Sequence, residues 1–315
     1  MSAVVGIGAV AGVARSLATL PLPWPFEREY MQLALAAGLV IGICAPLIGV
    51  FLVQQRLSLM GDGIGHLAFA GVAAGLLLEV WPIWTAMLVA VVGALAIEWL
   101  RSRGRTTSDL ALALWFYGGI AAGIVLASRA GNGGLAIVPY LFGSILTIDA
   151  SDVRVIGALG VVIVAAIALF GRALFAIVVD EESARVAGIP VGFGNALLAV
   201  LTAVTVVAAM RVVGVLLIAA LMVLPVATGR VLSRSFRGTM LVSAAIGAAS
   251  VVLGLFAARQ WALAPGGSIV LVAAFAFAIV SLVGGRRRGG VAAVMPGGAR
   301  ADDGLHDHHD PHEHG

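Results

Sequence analysis

The segment FLVQQRLSLMGDGIGHLAFAG, residues 51–71, is a short polar interruption between two long apolar runs. It contains Arg56, Asp62 and His66, whereas the sequence on either side has almost no charge. Such a segment is either a solvated loop between two helices or a polar site held within a membrane. The rest of the chain bears on that choice.

The composition is that of a membrane protein. Of the 315 residues, 61% are apolar and only 11% are charged, and the mean hydropathy is +1.08. Soluble globular proteins carry about 25% charged residues. The composition therefore predicts a polytopic membrane protein with one lipid-facing domain, an all-α bundle of transmembrane helices.

Nine apolar runs have about the 18 to 23 residues that a membrane-spanning helix needs. The run at 212–229 is the least certain, because Arg211 and Gly214 separate it from its predecessor only weakly. It is either a full span or a broken, re-entrant element, so the sequence predicts eight to nine spans. The runs lie at 31–53, 62–79, 82–100, 108–128, 153–171, 192–210, 212–229, 238–257 and 266–284.

Two terminal segments flank this bundle. Residues 1–30 form an N-terminal segment, and residues 31–284 form the transmembrane domain. Residues 285–315 are rich in Gly, Ala, Asp and His without periodicity, which predicts a disordered C-terminal tail.

The arginines predict the orientation of the chain, because positive charge is enriched in cytoplasmic connections. Most arginines fall on alternate connections, which we assign to the cytoplasm together with the C-terminus. The N-terminus is then outside with nine spans. The cytoplasmic set is Arg56, Arg101, Arg103, Arg105, Arg172, Arg185, Arg230, Arg234, Arg237, Arg286, Arg287 and Arg288.

All 19 basic residues are arginine, and the sequence contains no lysine. A P-loop requires its lysine to reach the β- and γ-phosphates of a nucleotide, so a standard ATP-hydrolysing site is excluded. The arginines lie at helix ends as topology signals, which makes nucleic-acid binding improbable.

Asp62 and His66 are four residues apart, which places them on one face if the segment is helical. A carboxylate and an imidazole are suitable ligands for a divalent transition metal. The alternative is a solvated turn, because the three glycines of GDGIGH favour turns over helices. The position beside an apolar span favours a functional site.

The longest amphipathic interruption, VVDEESARVAGIPVGF at 178–193, predicts a short helix lying across the membrane surface. Its acidic residues suit a helix N-terminus, and its Gly and Pro end the helix. It is either a docking element for a soluble partner or a plain acidic loop. The residues in question are Asp180, Glu181, Glu182, Ala184, Arg185, Gly188 and Pro190.

The C-terminal tail contains five of the six histidines of the chain, interleaved with acidic residues. Such a cluster binds zinc, nickel or copper weakly and without defined geometry. We expect a role in metal buffering or sensing, against a merely solvating tail. The histidines are His306, His308, His309, His312 and His314.

Six stretches, taken in order, resemble the permease family of bacterial ATP-binding-cassette importers for zinc and manganese. The resemblance extends from about Phe26 to Leu282. The stretches are RLSLMGDGIGHLAFAGVAAG, TTSDLALALWFYGGIAAGIVLAS, YLFGSILTIDASDV, DEESARVAGIPV, RVVGVLLIAALMVLPVATGRVL and PGGSIVLVAAFAFAIVSLV.

The resemblance implies a multi-pass protein of the bacterial inner or plasma membrane that is not itself an enzyme. Two permease chains, expected to be two copies of this chain in a homodimer, would form the pathway, with ATP hydrolysed by separate ATPase subunits. An extracytoplasmic metal-binding protein would deliver the ion. By resemblance, Asp62 and His66 meet the ion in the translocation path, and residues 180–190 form the helix that couples to the ATPase.

No permanently bound cofactor is implied, only a transported zinc or manganese ion. The run of Gly65, His66 and Leu67 looks closer to the zinc-type members, and the His-rich tail favours zinc because imidazole suits it better than manganese. The alternative function is a secondary metal transporter driven by an ion gradient. That class usually has ionisable residues spread across several spans, and here they are few.

Overall fold

The computed structural model describes residues 26–103, 108–130 and 133–292, which form a bundle of helices. This confirms the predicted all-α class. The helices are α1 Glu29–Gln54, α2 Met60–Leu77, α3 Pro82–Ser102, α4 Ser108–Arg129, α5 Gly133–Phe142, α6 Ala150–Val179, α7 Glu181–Val186, α8 Val191–Ala209, α9 Val215–Leu232, α10 Phe236–Trp261 and α11 Pro265–Ala292.

Within the described ranges, nine helices have the length and hydropathy of a membrane span, and only α5 and α7 do not. The nine-span prediction is therefore supported over the eight-span alternative. The uncertain run at 212–229 is the separate helix α9, which Gly214 begins with a φ of 90°. A left-handed backbone of this kind is open to glycine at little cost, so it can separate α8 from α9.

The spans run alternately up and down, so the bundle has two ends. The arginine-rich end holds the last residues of α1, α3, α6 and α9, together with α7. The opposite end holds the last residues of α2, α4, α8 and α10, together with α5.

Helix α2 lies at the centre of the bundle and packs against α3, α4, α8 and α9. Small residues permit these contacts: a Cβ built on Gly71 would lie 2.6 Å from Ala86 Cα in α3, and one on Gly49 of α1 would collide with the carbonyl oxygen of Met222 in α9. Close backbone approach at small residues is how helices gain van der Waals contact in lipid. The segment quoted at the outset therefore lies in the core of the protein.

Two helices extend beyond the predicted apolar runs. The N-terminus of α6 begins at Ala150, where the Asp149 side chain accepts hydrogen bonds from the backbone of Ser151 and Asp152 in a capping box. At the other end of the chain α11 continues to Ala292, past the predicted start of the tail at 285. Arginine is a good helix former, and Arg286 to Arg288 prolong the helix past its apolar part.

Candidate metal site

The glycine-rich GDGIGH segment is helical, and α2 begins at Met60. The alternative of a solvated turn is therefore wrong. Two of the glycines face neighbouring helices: a Cβ on Gly61 would lie 3.1 Å from Met222 Sδ, and one on Gly65 would lie 3.4 Å from Val215 Cγ1. Packing against α9 holds these residues in a helix despite their low helix propensity.

Asp62 and His66 lie one turn apart on α2. The distance from His66 Nε2 to Asp62 Oδ1 is 3.7 Å, and their side chains are 9% and 30% exposed, respectively. This distance is too long for a hydrogen bond, so the two atoms remain available to a shared ligand. The expected one-face arrangement of a carboxylate and an imidazole is therefore present.

The contact of Gly61 with Met222 indicates how deep this pair lies. Met222 is ten residues from the arginine-rich end of α9, or about 15 Å at 1.5 Å per residue. Asp62 is fifteen residues from Leu77 at the opposite end of α2, or about 22 Å. Asp62 therefore lies within a candidate membrane span, nearer its arginine-rich end than its opposite end.

A cavity of about 280 Å³ opens beside Asp62, between the start of α2 and α4. Leu112 and Phe116 of α4 form its apolar wall, and the exposed residues Leu59 and Tyr117 lie at its mouth. The ring of Phe116 also contacts the imidazole of His66 edge-on, with ring centroids 4.3 Å apart. The aspartate therefore lines a space that reaches the surface of this chain near Leu59 and Tyr117.

These α4 residues were not predicted from the sequence. Leu112, Phe116 and Tyr117 lie in an apolar run that predicts only a span, and nothing in that run marks the face that reaches Asp62. The repeat of aromatic residues at 115–117 was the only available signal.

The pair is too small to enclose a metal by itself. Among the described residues there is no cluster of three or more His, Cys, Asp or Glu side chains close enough to bind one ion. A tetrahedral site needs four ligands, so two would have to come from water, main-chain oxygen or another chain.

The predicted surface helix is α7, Glu181–Val186. Asp180 caps it: its Oδ1 accepts hydrogen bonds from the backbone amides of Glu182 at 3.1 Å and Ser183 at 3.0 Å, and its Oδ2 accepts from Ser183 Oγ at 2.6 Å. The bond from the Ser183 hydroxyl, followed by that from its amide, lowers the pKa of Asp180 below its usual range. A capped helix replaces the plain acidic loop that was the alternative.

One buried residue anchors α7 while most of its surface stays exposed. Ala184 is 4% exposed and packs with Ile177 of α6 and Val191 of α8. Gly188 has a φ of 79° and turns the chain, and Pro190 is the N-cap of α8. The helix is therefore tied to the ends of two spans and presents its charged face outward.

Arg211 lies in the connection between α8 and α9 and has three partners there. Its guanidinium pairs with the carboxylate of Asp152, which is 2% exposed, and donates hydrogen bonds to Tyr140 Oη at 3.1 Å and to the carbonyl oxygen of Thr147 at 2.9 Å. These contacts fasten α5 and the start of α6 over the α8–α9 connection.

The predicted tail site lies outside the described residues. His306, His308, His309, His312 and His314 all fall beyond residue 292, as does the proposed metal-buffering role.

The comparison with known proteins agrees with this architecture. The model of the ABC 3 transport family matches residues 27–284. The manganese import system permease protein ScaB of Streptococcus gordonii is 31% identical over 262 residues, which cover 83% of this chain and 94% of that protein. The high-affinity zinc uptake system membrane protein ZnuB of Haemophilus influenzae is 29% identical and covers 80% of this chain and 96% of its own.

A solved structure shows the same fold. PsaBC from Streptococcus pneumoniae in complex with Fab contains a chain that matches with a TM-score of 0.76 and 32% identity, over 83% of this chain and 94% of that one. The residues matched by the family model include α2 and its polar pair. This chain therefore belongs to the ABC 3 transport family.

Proposed function

We propose that this chain is the permease subunit of an ATP-binding-cassette importer that moves a divalent transition-metal ion into the cytoplasm. The observation that carries the proposal is the Asp62–His66 pair, held on one face of the central helix, within a candidate span and beside a cavity. Ionisable groups at such a depth are costly and are retained for function. Relatives named for manganese import and for zinc uptake support the same class of substrate.

In this proposal the ion passes Asp62 and His66 transiently and is never enclosed by this chain alone. Two ligands bind more weakly than four, which suits a pathway that must also release its cargo. The carboxylate offsets part of the charge of the ion, and the neutral imidazole supplies a softer donor. Phe116 limits the freedom of the imidazole by edge contact, so the ligand atoms keep their spacing.

We take zinc as the first candidate ion and manganese as the next. Imidazole is a common zinc ligand, while manganese prefers oxygen. The relatives include proteins named for each metal, so the choice rests on the donor set at Asp62 and His66 and on the His-rich tail.

Three kinds of partner protein belong to this proposal: ATPase subunits, a metal-binding protein and a second permease chain. Its lack of lysine assigns ATP hydrolysis to separate ATPase subunits, and the capped helix α7 offers them an exposed charged face fixed to α6 and α8. An extracytoplasmic metal-binding protein would deliver the ion. The cavity beside Asp62 opens sideways past the exposed residues Leu59 and Tyr117, which favours a second copy of this chain as the other wall of the pathway.

The arginine-rich end is cytoplasmic in this proposal, by the positive-inside tendency. The C-terminus then lies in the cytoplasm and α7 faces the ATPase subunits. The chain is placed in the bacterial inner or plasma membrane.

The test is ATP-dependent uptake of radioactive zinc and manganese into vesicles that contain the assembled transporter. Asp62→Ala and His66→Ala are expected to abolish uptake while leaving membrane insertion and assembly with the ATPase intact. Glu79→Ala is the matched control, because Glu79 follows α2 at its far end and lies outside the cavity. Normal uptake in both site variants would refute the assignment.

The secondary transporter is the alternative function. It predicts uptake by this chain in sealed vesicles without nucleotide or ATPase, driven by a proton or sodium gradient. An importer permease predicts none under those conditions, so one measurement separates the two classes.

A further inference from the structure

A second cavity, of about 490 Å³, lies at the arginine-rich end between the end of α1, α6 and the start of α10. It is separate from the cavity beside Asp62 and shares no lining residue with it. Its rim carries the guanidinium groups of Arg172 and Arg237 and the hydroxyl of Ser235. Its wall is aromatic, because Phe236 contacts Phe51 and Phe175 with ring centroids 5.3 and 4.7 Å apart.

Neither rim arginine is neutralised. Both are exposed, and within the described part of the chain neither forms an ion pair. Among the described residues, no aspartate or glutamate lines the cavity. The cavity therefore presents two positive charges with no internal counter-ion.

Arg172 lies at the depth where a lipid headgroup would be. The stretch of α6 between Arg154 and Arg172 contains no charged residue. The two arginines are 18 positions apart, or about 27 Å at 1.5 Å per residue. This is close to the roughly 30 Å thickness of a hydrocarbon core, so the two arginines mark its two faces. Arg237 is at the first turn of α10, on the same end of the bundle.

Below the arginines the cavity is apolar. Ile167 and Ala168 lie on α6 about 6 to 8 Å deeper than Arg172, and Met240 lies about one turn deeper on α10 than Phe236. The lining thus changes from basic to apolar along the membrane normal, which is the order of phosphate and acyl chain in a phospholipid.

We propose that this cavity binds an anionic phospholipid, with the headgroup phosphate between Arg172 and Arg237 and one acyl chain along Ile167, Ala168 and Met240. Guanidinium groups bind phosphate oxygens through paired N–H donors, and basic pockets between spans on the cytoplasmic side bind anionic headgroups. A zwitterionic lipid is disfavoured because no carboxylate is present to receive its ammonium group. The proposal concerns a lipid that stays with the protein and is independent of the transported ion.

The test counts bound lipid on the full-length chain, purified in neutral detergent, by native mass spectrometry. Phosphatidylglycerol and phosphatidylcholine with the same acyl chains are titrated separately, and the expected result is preferential retention of phosphatidylglycerol. The double variant Arg172→Gln with Arg237→Gln should weaken the affinity for phosphatidylglycerol about thirtyfold, because each arginine contributes a factor of about five. Arg230→Gln with Arg234→Gln, which removes two exposed arginines at the same end but outside the cavity, should leave it unchanged.

A second variant tests the cavity without changing its charge. Gly171 lines it, and the nearest contact of a Cβ built there is Ile167 Cγ2 at 3.7 Å, so leucine at this position is expected to fold and to fill the cavity. Gly171→Leu should lose phosphatidylglycerol while keeping its thermal unfolding temperature. Retention of lipid by a folded Gly171→Leu protein would overturn the proposal.

Three further outcomes would also overturn it. Equal retention of the two lipids would show that the arginines do not select an anion. Displacement of phosphatidylglycerol by millimolar inorganic phosphate would indicate a site for a soluble anion. Retention that appears only after deletion of residues 293–315 would show that the acidic tail of the chain occupies the cavity.

Discussion

Gly119 of α4 packs directly against the backbone of His66, and replacing it with alanine should impair transport without removing a candidate ligand. A Cβ built on Gly119 would lie 2.9 Å from the carbonyl carbon of His66 and 3.0 Å from both the His66 oxygen and the Leu67 nitrogen. These are backbone atoms of α2, so no side-chain rotation can relieve the contact.

The geometry sets the size of the effect. Opening the contact from 2.9 Å to the 3.4 Å at which ordinary contact begins requires a displacement of about 0.5 Å between α4 and α2. Asp62 and His66 both lie on α2 and keep their own spacing, but the displacement moves Phe116 and the cavity wall by about 0.5 Å relative to them. Changes around metal ligands typically cost about 10- to 100-fold in affinity or activity, and we expect at least the lower figure, about tenfold.

Stability should change much less. Overpacking costs about 1 to 3 kcal/mol, whereas alanine gains about 1 kcal/mol over glycine in a helix. The net loss of about 0 to 2 kcal/mol corresponds to an unfolding temperature lower by at most about 8 °C. Thermal scans at one fixed rate measure it, since membrane proteins often unfold irreversibly.

Gly118 provides the matched control. It is the preceding residue of the same helix, it is exposed, and a Cβ built there would meet nothing within 4 Å. Gly118→Ala should therefore keep normal metal uptake and unfold at the same or a slightly higher temperature. The reasoning fails if the two alanine variants transport equally well, or if Gly119→Ala loses uptake only because it no longer folds.

Four other predictions rest on three separate parts of the chain. Arg211→Met leaves the buried carboxylate of Asp152 unpaired, which should lower the free energy of unfolding by about 3 to 5 kcal/mol. Adding Asp152→Leu to that variant should recover most of the lost unfolding temperature. A double variant no more stable than Arg211→Met contradicts this. Asp180→Ala should uncouple ATP hydrolysis from uptake by removing the cap of α7, while Asp180→Asn keeps an acceptor and most of the coupling. The hydrogen bonds to Asp180 lower its pKa in the folded protein. The cap should therefore be intact above the usual aspartate pKa of about 3.9 and should be lost as the pH falls through the lower folded pKa. Circular dichroism measured against pH can follow this loss. Deletion of residues 300–315 should alter the metal concentration at half-maximal uptake and no more, and complete loss of transport would contradict this.

Much of the fold was predictable from local sequence. The apolar run 82–100 became α3 with the same first residue, and 62–79 became α2 with a shift of two residues. Such runs are readable because the bilayer requires about 20 apolar residues in helical form wherever the chain crosses it. The short helix α7 was also predictable, since its acidic start and its Gly and Pro stop are local signals.

The site was only partly predictable. The spacing of Asp62 and His66 indicates one face of a helix, but the glycines around them argue for a turn, and the contacts with α9 decide the matter. Phe116 and Arg211 could not be assigned roles in advance. Phe116 lies 50 residues beyond His66, and Arg211 pairs with an aspartate 59 residues before it, so no local pattern joins either pair.

The sequence by itself determined that this protein is a bundle of membrane helices, which end carries the arginines, and which two side chains are the candidates for metal binding. Each of these depends on hydropathy, charge or spacing within about one span. Such local patterns can be recognised in a single sequence without knowledge of the tertiary contacts. Only the tertiary structure decided that GDGIGH is helical and how deep it lies. A glycine-rich helix has little stability of its own. It becomes stable when a neighbouring helix packs closely against the glycines, so its conformation depends on the packed helices together.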